Sequence, residues 1–498
     1  MSPPLAGDGD TEKAETVQAG PPGSESVITF DDAPSLDPQN WSRTRKCAVL
    51  FVAFNLVVSS TNGASLATGG ITSTLHEFGE ENCYGARVLP VAVYLVGYAL
   101  GNTVLAPLSE YYGRRPVNLV TTFFFVVWMT GCTCAPNWVA FNVFRFLNGF
   151  FAAGPPSTVS GMCADLYSGE FPRGDALLGY NIATQIGSVI GPVISGFAVD
   201  ISWRLSFGFG IAYGTICFVG ALLGAPETNS KIILDKRAKG IRDLKGSWMP
   251  RGPGDGEEVN LSDFASKVLV RPLSMFFREP LVFFSCIYIA FQYGLFYVFL
   301  QSYTIIFVDI YHFNKGEEGL TFLGFGVGTL LTFPAQAFFQ RYYKRALAKN
   351  DPWTHHHGAK RLPLACVAGP FIILSLFWGA LTSKASISWV SPALSGIPYG
   401  FGYILTIISL LNYLIDNYAS LASSANAASN LTRQLVGAAL PFAAVPLYRQ
   451  LGVQWATSLL GFVAAAMSVI PFVFWIYGER ILKKSTLAQE LARDGNGK

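Results

Sequence analysis

Two arginines lie inside long apolar runs of this chain. Arg145 sits in Arg145-Phe146-Leu147-Asn148-Gly149, and Arg433 sits in Asn430-Leu431-Thr432-Arg433-Gln434. A guanidinium keeps its charge at any physiological pH. Placed mid-helix in a bilayer it costs about 2.5–3.5 kcal/mol on insertion scales, so it faces a wet cavity or finds partners. Either arginine could hold a substrate or carry a proton-linked charge in a central cavity. Either could instead bond a neighbouring carbonyl, and Arg433, nearer the end of its run, could reach the interface with its head group. Amides and phenols recur in similar runs: Asn55, Asn148, Asn181, Gln185, Gln292, Tyr293, Tyr297, Gln301, Gln336, Tyr399, Tyr403 and Asn426. Aromatic faces with scattered amides suit a large, partly apolar ligand. Tyr293, Tyr297 and Gln301 stand at i, i+4 and i+8, so a helix places all three on one face.

Soluble-enzyme chemistry is poorly supplied. The five histidines are His76, His312 and the triplet His355-His356-His357, which lies in a basic segment and reads as an exposed polar loop before it reads as a metal site. No P-loop, dinucleotide fingerprint or H-E-x-x-H occurs, so no cofactor, no metal and no nucleotide-driven step are expected. The eight cysteines fall mostly in apolar segments, which argues against a disulfide framework.

The elements that must position these residues follow from composition. Of 498 residues, 51% are hydrophobic and only 13% charged, against about 25% charged in an average soluble domain. That excludes an ordinary soluble enzyme, and a net charge of +3 is too small to imply a nucleic-acid partner. Twelve apolar runs cover 46–68, 87–107, 117–135, 138–161, 175–199, 205–225, 280–307, 319–340, 363–382, 388–411, 422–447 and 453–477. Each is long enough to cross about 30 Å of hydrocarbon, and lipid leaves helix as the conformation for such runs. The expected fold is an all-α integral membrane protein of twelve transmembrane helices in two six-helix bundles, 46–225 and 280–477. A disordered tail (1–44), a central loop (226–279) and a C-terminal tail (478–498) complete it.

Of the 35 Lys and Arg residues, only Arg87, Arg204, Lys315, Lys384 and Arg449 fall on the side opposite the termini, with Arg145 and Arg433 inside spans. Basic loops stay in the cytoplasm, so both termini are expected there. Two half-bundles around a midplane site are the plan of transporters built from repeats.

Two further segments carry information. Gly187-Ser188-Val189-Ile190-Gly191-Pro192-Val193-Ile194-Ser195-Gly196 places glycines four apart around a proline. This allows close helix approach and a bend, or forms a packing groove alone. Ala106-Pro107-Leu108-Ser109-Glu110-Tyr111-Tyr112-Gly113-Arg114-Arg115 puts a carboxylate and two arginines at a helix end. Such a cluster could latch one end of the bundle, or serve as topogenic charge at a turn.

Together these segments resemble the signature motifs of the major facilitator superfamily, especially the twelve-span drug:proton antiporters of fungi. The loop motif G-x-L-x-D-x-x-G-R-R matches at Leu108, Gly113, Arg114 and Arg115, with Glu110 for Asp and Ala106 for Gly. R-x-x-Q-G matches at Arg145 and Gly149, with Asn148 for Gln. G-x-x-x-G-P-x-x-G-G matches at Gly187, Gly191, Pro192 and Gly196, with Ser195 for one Gly. Asp37-Pro38-Gln39-Asn40-Trp41-Ser42, Pro226-Glu227-Thr228 and Ser424-Ala425-Asn426-Ala427-Ala428 agree with the fungal type.

The resemblance implies a monomeric exporter in a fungal plasma membrane, moving a small organic molecule outward against protons by rocking one bundle on the other. A vacuolar membrane satisfies the same topology, and an importer of a nutrient, polyamine or organic acid is the alternative on this fold. The loop motif (Glu110, Gly113, Arg114, Arg115), with Asp165, is expected to gate. No carboxylate lies mid-span, so coupling is assigned to Arg145 and its polar neighbours, with Asp165. On this reading Arg145→Ala abolishes proton-driven flux in vesicles, and full proton-driven flux by that variant removes Arg145 from the coupling step.

Overall fold

The computed structural model describes residues 29–32, 34–81, 85–245, 270–356, 358–418 and 421–484. Among these residues the secondary structure is helical. The chain divides into two units, Met1–Trp41 with Ser230–Glu258, and Ser42–Asn229 with Val259–Lys498.

In the first unit the expected disordered tail falls outside the described residues at 1–28. Beyond residue 28 the chain is wound into single 3-10 turns, Phe30–Asp32, Pro34–Leu36 and Pro38–Asn40. The Asp37 carboxylate caps the last of these by accepting the Gln39 N–H at 2.9 Å. This unit also holds a helix over Ser230–Lys245, whose Leu234 and Ala238 are buried beside Phe30 and Ile241. The rest of the expected central loop up to residue 269 lies outside the described residues.

The second unit carries the membrane part. Its first half contains α1 (Arg43–Gly69), α2 (Ile71–Phe78), α3 (Leu89–Tyr112), α4 (Arg114–Thr133), α5 (Trp138–Ala152), α6 (Gly154–Leu166), α7 (Glu170–Ala198) and α8 (Trp203–Gly224). With Ser230–Lys245 numbered α9, the second half contains α10 (Arg271–Arg278), α11 (Pro280–Tyr303), α12 (Lys315–Thr321), α13 (Leu323–Ala348), α14 (Leu362–Thr382), α15 (Val390–Leu394), α16 (Gly396–Asn417), α17 (Ala422–Met467) and α18 (Val469–Lys484). A π-helical segment, Thr304–Ile310, extends α11.

Ten helical stretches among the described residues are long and apolar enough to cross a membrane. The expected span 138–161 is divided between α5 and α6 at Ala153. The last two expected spans run together in one stretch, 422–483, around Gly452, whose φ of +72° is non-helical. Local signals set several helix starts. Ser42 accepts the Arg45 N–H at 3.3 Å, Asn137 accepts the Ala140 N–H at 2.8 Å, and Asn314 with Glu317 forms a reciprocal capping box on α12, each satisfying N–H groups that a helix start leaves open.

Lipid offers no hydrophobic drive between helices, so small residues and interhelical hydrogen bonds join them. In the first half α3 and α5 touch backbone to backbone: a Cβ at Gly97 would overlap the Phe146 carbonyl, and one at Gly149 would overlap the Tyr94 carbonyl. The Tyr94 hydroxyl donates to the Ser60 carbonyl at 2.6 Å, and the Ser60 hydroxyl donates to the Ala152 carbonyl at 2.6 Å, tying α1 to both. At one end of the half, Arg204 grips Glu77 through both guanidinium nitrogens, at 2.8 and 2.5 Å, and the Trp203 indole N–H adds a third donor at 2.6 Å. The Arg204 guanidinium, then the Trp203 hydrogen bond, hold the Glu77 carboxyl below the usual carboxylate range.

Overpacking a tight contact costs about 1–3 kcal/mol, whereas alanine improves an open helical glycine by up to about 1 kcal/mol. Gly149→Ala is therefore expected to lower the melting temperature of the purified protein, and Gly220→Ala, where a Cβ meets nothing within 4 Å, to leave it equal or higher. Equal melting of both variants would contradict the α3–α5 contact.

Candidate functional site

The loop after α3 builds a partly buried polar junction. Gly113 has φ +103°, and a Cβ on it would sit 2.5 Å from a Glu227 carboxylate oxygen. Glycine is thus required twice, for the backbone angle and for the space. Glu227 fills that space by accepting four backbone N–H groups: Arg114 at 2.9 Å, Arg115 at 3.1 Å, Thr228 at 3.0 Å and Asn229 at 2.9 Å. An anion at the open N–H groups of a helix start is favourable, so Glu227 pins the start of α4 to the end of α8. Arg114, buried, donates from NH1 to the Ser109 hydroxyl at 2.7 Å and pairs through Nε with Asp165 at 3.4 Å. Asp165 also accepts the Thr228 hydroxyl at 3.2 Å. Arg115 donates to the Leu222 carbonyl at 3.0 Å. The sequence pattern paired Glu110 with these arginines. Instead Glu110 is exposed, its backbone carbonyl accepts the Asn229 amide at 3.0 Å, and Asp165 partners Arg114. The contacts of Arg114, Asp165 and Glu227 given above lie within the first half.

Beside the junction opens a cavity of about 410 Å³ between the halves. Its wall includes Asn102, Glu110, Arg114, Arg173, Tyr180 and Asn181 from the first half, and Arg271, Asn412, Asn426, Asn430 and Arg433 from the second. Asn181, Asn426 and Arg433 share this wall.

Arg145 stands apart from this cavity. It is fully buried and donates to three backbone carbonyls, Nε to Pro90 at 3.1 Å, NH1 to Gly63 at 2.8 Å and NH2 to Ala64 at 3.0 Å. Its guanidinium carbon lies 4.5 Å from the Tyr94 ring centre and 5.7 Å from that of Phe207. The carbonyl-bonded reading of this arginine is the one the geometry matches, and no acidic group pairs with it among the described residues. Asn148 likewise donates to the Phe125 carbonyl at 2.8 Å inside the first half. Asn55 bonds the Phe51 carbonyl and the Tyr213 hydroxyl, at 2.8 and 2.9 Å, away from the second half.

Tyr293 and Tyr297 of α11 and Tyr399 and Tyr403 of α16 lie in the closed core and not in the cavity wall. The Tyr293 and Tyr297 hydroxyls lie 3.1 Å apart, and Tyr293 donates to Gln434 Oε1 at 3.1 Å. The Tyr399 hydroxyl donates to the Gln292 carbonyl at 2.5 Å, and the Tyr399 and Tyr403 rings stack 6.0 Å apart. Gln301, expected on the face of Tyr293 and Tyr297, is half-buried and outside the cavity wall. The side-chain Nε2 and Oε1 of Gln292, Nε2 of Gln185 and Oε1 of Gln336 are buried without a hydrogen-bond partner.

At the end away from the cavity, α7 and α12 close the gap between the halves. A Cβ at Gly196 would overlap the Lys315 carbonyl, and one at Gly319 would come 2.6 Å from the Pro192 carbonyl. Further along α7, Gly187 and Gly191 face α1 instead, where side chains would overlap the hydroxyls of Thr61 and Ser65. The glycine motif therefore serves two surfaces, one inside the first half and one across the halves. Behind this contact Glu318, 7% exposed, accepts the Thr304 hydroxyl at 2.5 Å and Lys315 Nζ at 3.0 Å.

Sequence reasoning missed Glu227, Tyr94, Tyr180 and Glu318. Pro226-Glu227-Thr228 stood out as a block, but nothing local says that its carboxylate caps a helix more than a hundred residues earlier. Glu318 was hidden beside the capping-box residue Glu317 at a helix start.

The family profile described as Major Facilitator Superfamily matches residues 48–441. The chain is 32% identical over 498 residues to the MFS-type transporter acdC of Aspergillus candidus, covering 98% of this chain and 96% of that one. It is 32% identical over 468 residues to the efflux pump FUB11 of Gibberella moniliformis, covering 93% and 78%. It is also 32% identical over 482 residues to the citrinin biosynthesis cluster MFS transporter mrr1 of Monascus ruber, covering 95% of each. Among solved structures, the proton:xylose symporter XylE has a TM-score of 0.63 at 13% identity, covering 88% of this chain and 96% of that one. That likeness is one of fold.

Orphaning a buried donor costs about 1–3 kcal/mol. Glu227→Gln turns one acceptor into an NH₂ group facing a backbone N–H, so it is expected to lower the melting temperature by several degrees, as is Gly113→Ala. Wild-type melting in both variants would remove Glu227 as the anchor of α4.

Proposed function

The chain belongs to the major facilitator superfamily, and on that premise we propose that it is a proton-driven exporter of a small organic molecule. The observation that carries the reading is the asymmetry between the two ends. A cavity of about 410 Å³ between the halves lies at the end bearing Arg114, Arg173 and Arg271, while α7 and α12 meet backbone to backbone at the other. Basic loops mark the cytoplasmic face, so the cavity is taken to be loaded from the cytoplasm. In this account the chain crosses the plasma membrane twelve times, with both termini inside and the protein acting as a monomer. Transport proceeds by parting the glycine contact of Gly196 and Gly319 and closing the halves over the cavity. Both residues admit close approach without interlocking side chains, which suits a contact that must form and release.

The names of relatives support the outward direction, since they include an efflux pump and a transporter of a biosynthesis cluster. The glycine-proline motif of α7 supports it too.

For coupling, Arg145 is saturated by carbonyls, so its part is to hold α1, α3 and α5 in register. The proton step falls to Asp165. It pairs with Arg114, which lines the cavity, and protonating it removes that ion pair and loosens the junction of α3, α4 and α6.

Untargeted mass spectrometry on medium and cell extract, with and without the protein, tests the export reading. A compound lost from the medium and gained inside the cells is expected on deletion. Identical profiles in both fractions would contradict export of a self-made molecule. Asp165→Asn is expected to keep exchange of that compound in vesicles while losing most of its response to a pH gradient, and an undiminished response would move the proton step elsewhere.

A further inference from the structure

We propose that the cavity selects organic anions, compounds with a carboxylate or comparably acidic group on an apolar body, and that Arg433 receives the acidic group. This rests on the transporter reading above and adds to it the charge class of the substrate.

The inference starts from the contrast between the two arginines in the spans. Arg145 has its charge dispersed over three carbonyls and two rings. Arg433, only 7% exposed, has far less. Its NH2 donates to Asn430 Oδ1 at 2.6 Å, and its guanidinium carbon lies 5.1 Å from the Tyr293 ring centre. Its Nε is buried with no hydrogen-bond partner, and no carboxylate pairs with it among the described residues. A buried cation with an open donor is costly unless something of opposite charge meets it. Arg433 lies in the cavity wall, so a ligand can reach it.

The rest of the wall agrees in sign. Arg173 and Arg271 also line the cavity, Glu110 is its single carboxylate among the described residues, and Arg114 is already neutralised by Asp165. Arginine suits this task because its planar fork meets a carboxylate through two parallel hydrogen bonds. Asn181, Asn412 and Asn426 supply neutral donors and acceptors, while Tyr180, Ile408 and Leu411 supply apolar wall. A volume of about 410 Å³ falls in the range of drug-sized ligand sites, roughly 300–1,000 Å³. Arg433 thus assigns the site its charge, and the amides and aromatic wall leave the body of the ligand free to vary.

The test uses the full-length protein in lipid nanodiscs, with three probes of one shape and different charge: 2-naphthoate, 2-naphthamide and 2-naphthylmethylammonium. Calorimetric titration is expected to give naphthoate at least about tenfold tighter binding than either other probe, the step set by a modest difference in binding energy. Arg433→Gln is expected to erase that preference, and Arg433→Lys to retain it at weaker affinity. Should Arg433→Gln fail to fold, Asn430→Asp sets a carboxylate against the guanidinium and is expected to erase the preference by neutralising it. Equal binding of the three probes, preference for the ammonium, no naphthoate binding up to about 10 mM, or an unchanged preference in the folded charge-altering variant would each overturn the proposal. Flux of the same probes under a pH gradient separates the two readings. Naphthoate that binds through Arg433 but never responds to the gradient leaves the anion site standing and removes the antiport. Gradient-driven flux of the amide or ammonium alone does the reverse.

Discussion

A guanidinium in a bilayer-embedded helix must find acceptors or water, and Arg145 finds them in the backbone of its own bundle. Its three donors reach Pro90 of α3 and Gly63 and Ala64 of α1 from a position on α5. Three helices are thereby fixed at one height and one rotation. The contacts around it depend on that register. The Tyr94 hydroxyl can meet Ser60, and the Gly149 backbone can lie against Tyr94, only while α1, α3 and α5 stay aligned. Glu227 performs a related task at the basic end, where one carboxylate satisfies four N–H groups and holds α4 to α8. Arg145 is fully buried and Glu227 half-buried, each with several backbone partners, and both act within the first half.

Between the halves the contacts differ in kind. At the α7–α12 contact Gly196 and Gly319 lie against the backbone of the other half, and the Phe197 ring lies against Gly316. The first half is locked by saturated charges, while across the boundary the close glycine contacts stand beside an Asp175–Gln340 hydrogen bond of 2.8 Å. The exception to saturation is Arg433, in the cavity wall, whose open donor gives the site its sign.

Much of the membrane architecture was legible in the sequence because lipid permits so few solutions. Apolar runs of span length must be helices, and their positions follow from hydropathy alone. The span 138–161 was harder: Gly154-Pro155-Pro156 marks the break after Ala153, but the apolar run continues through it as a second helix. The motif residues were legible as types: Gly113, Arg114, Gly187 and Gly196 each occupy places only that residue fits or serves. Their partners were not. Spacing along a helix says that Tyr293 and Tyr297 share a face, and they do touch, but it does not say whether that face meets the cavity or the closed core. That choice depends on the other half and on which end of the molecule is open. The roles of Arg145 and Arg433 were undecidable for the same reason, since saturation of a charge is a property of neighbours distant in the chain.

The central claim is that the two buried arginines differ in kind, one holding the fold and the other left open for a ligand. Melting Arg145→Gln and Arg433→Gln side by side, as purified proteins without ligand, tests it most directly. Hydrogen bonds to a charged group contribute about 1.5–3 kcal/mol each. The account predicts that Arg145→Gln melts many degrees below the parent or fails to fold, while Arg433→Gln melts within about two degrees of it or higher, as expected when an unpaired buried charge is removed. Equal destabilisation of both variants, or a stable Arg145→Gln beside an unfolded Arg433→Gln, would contradict it.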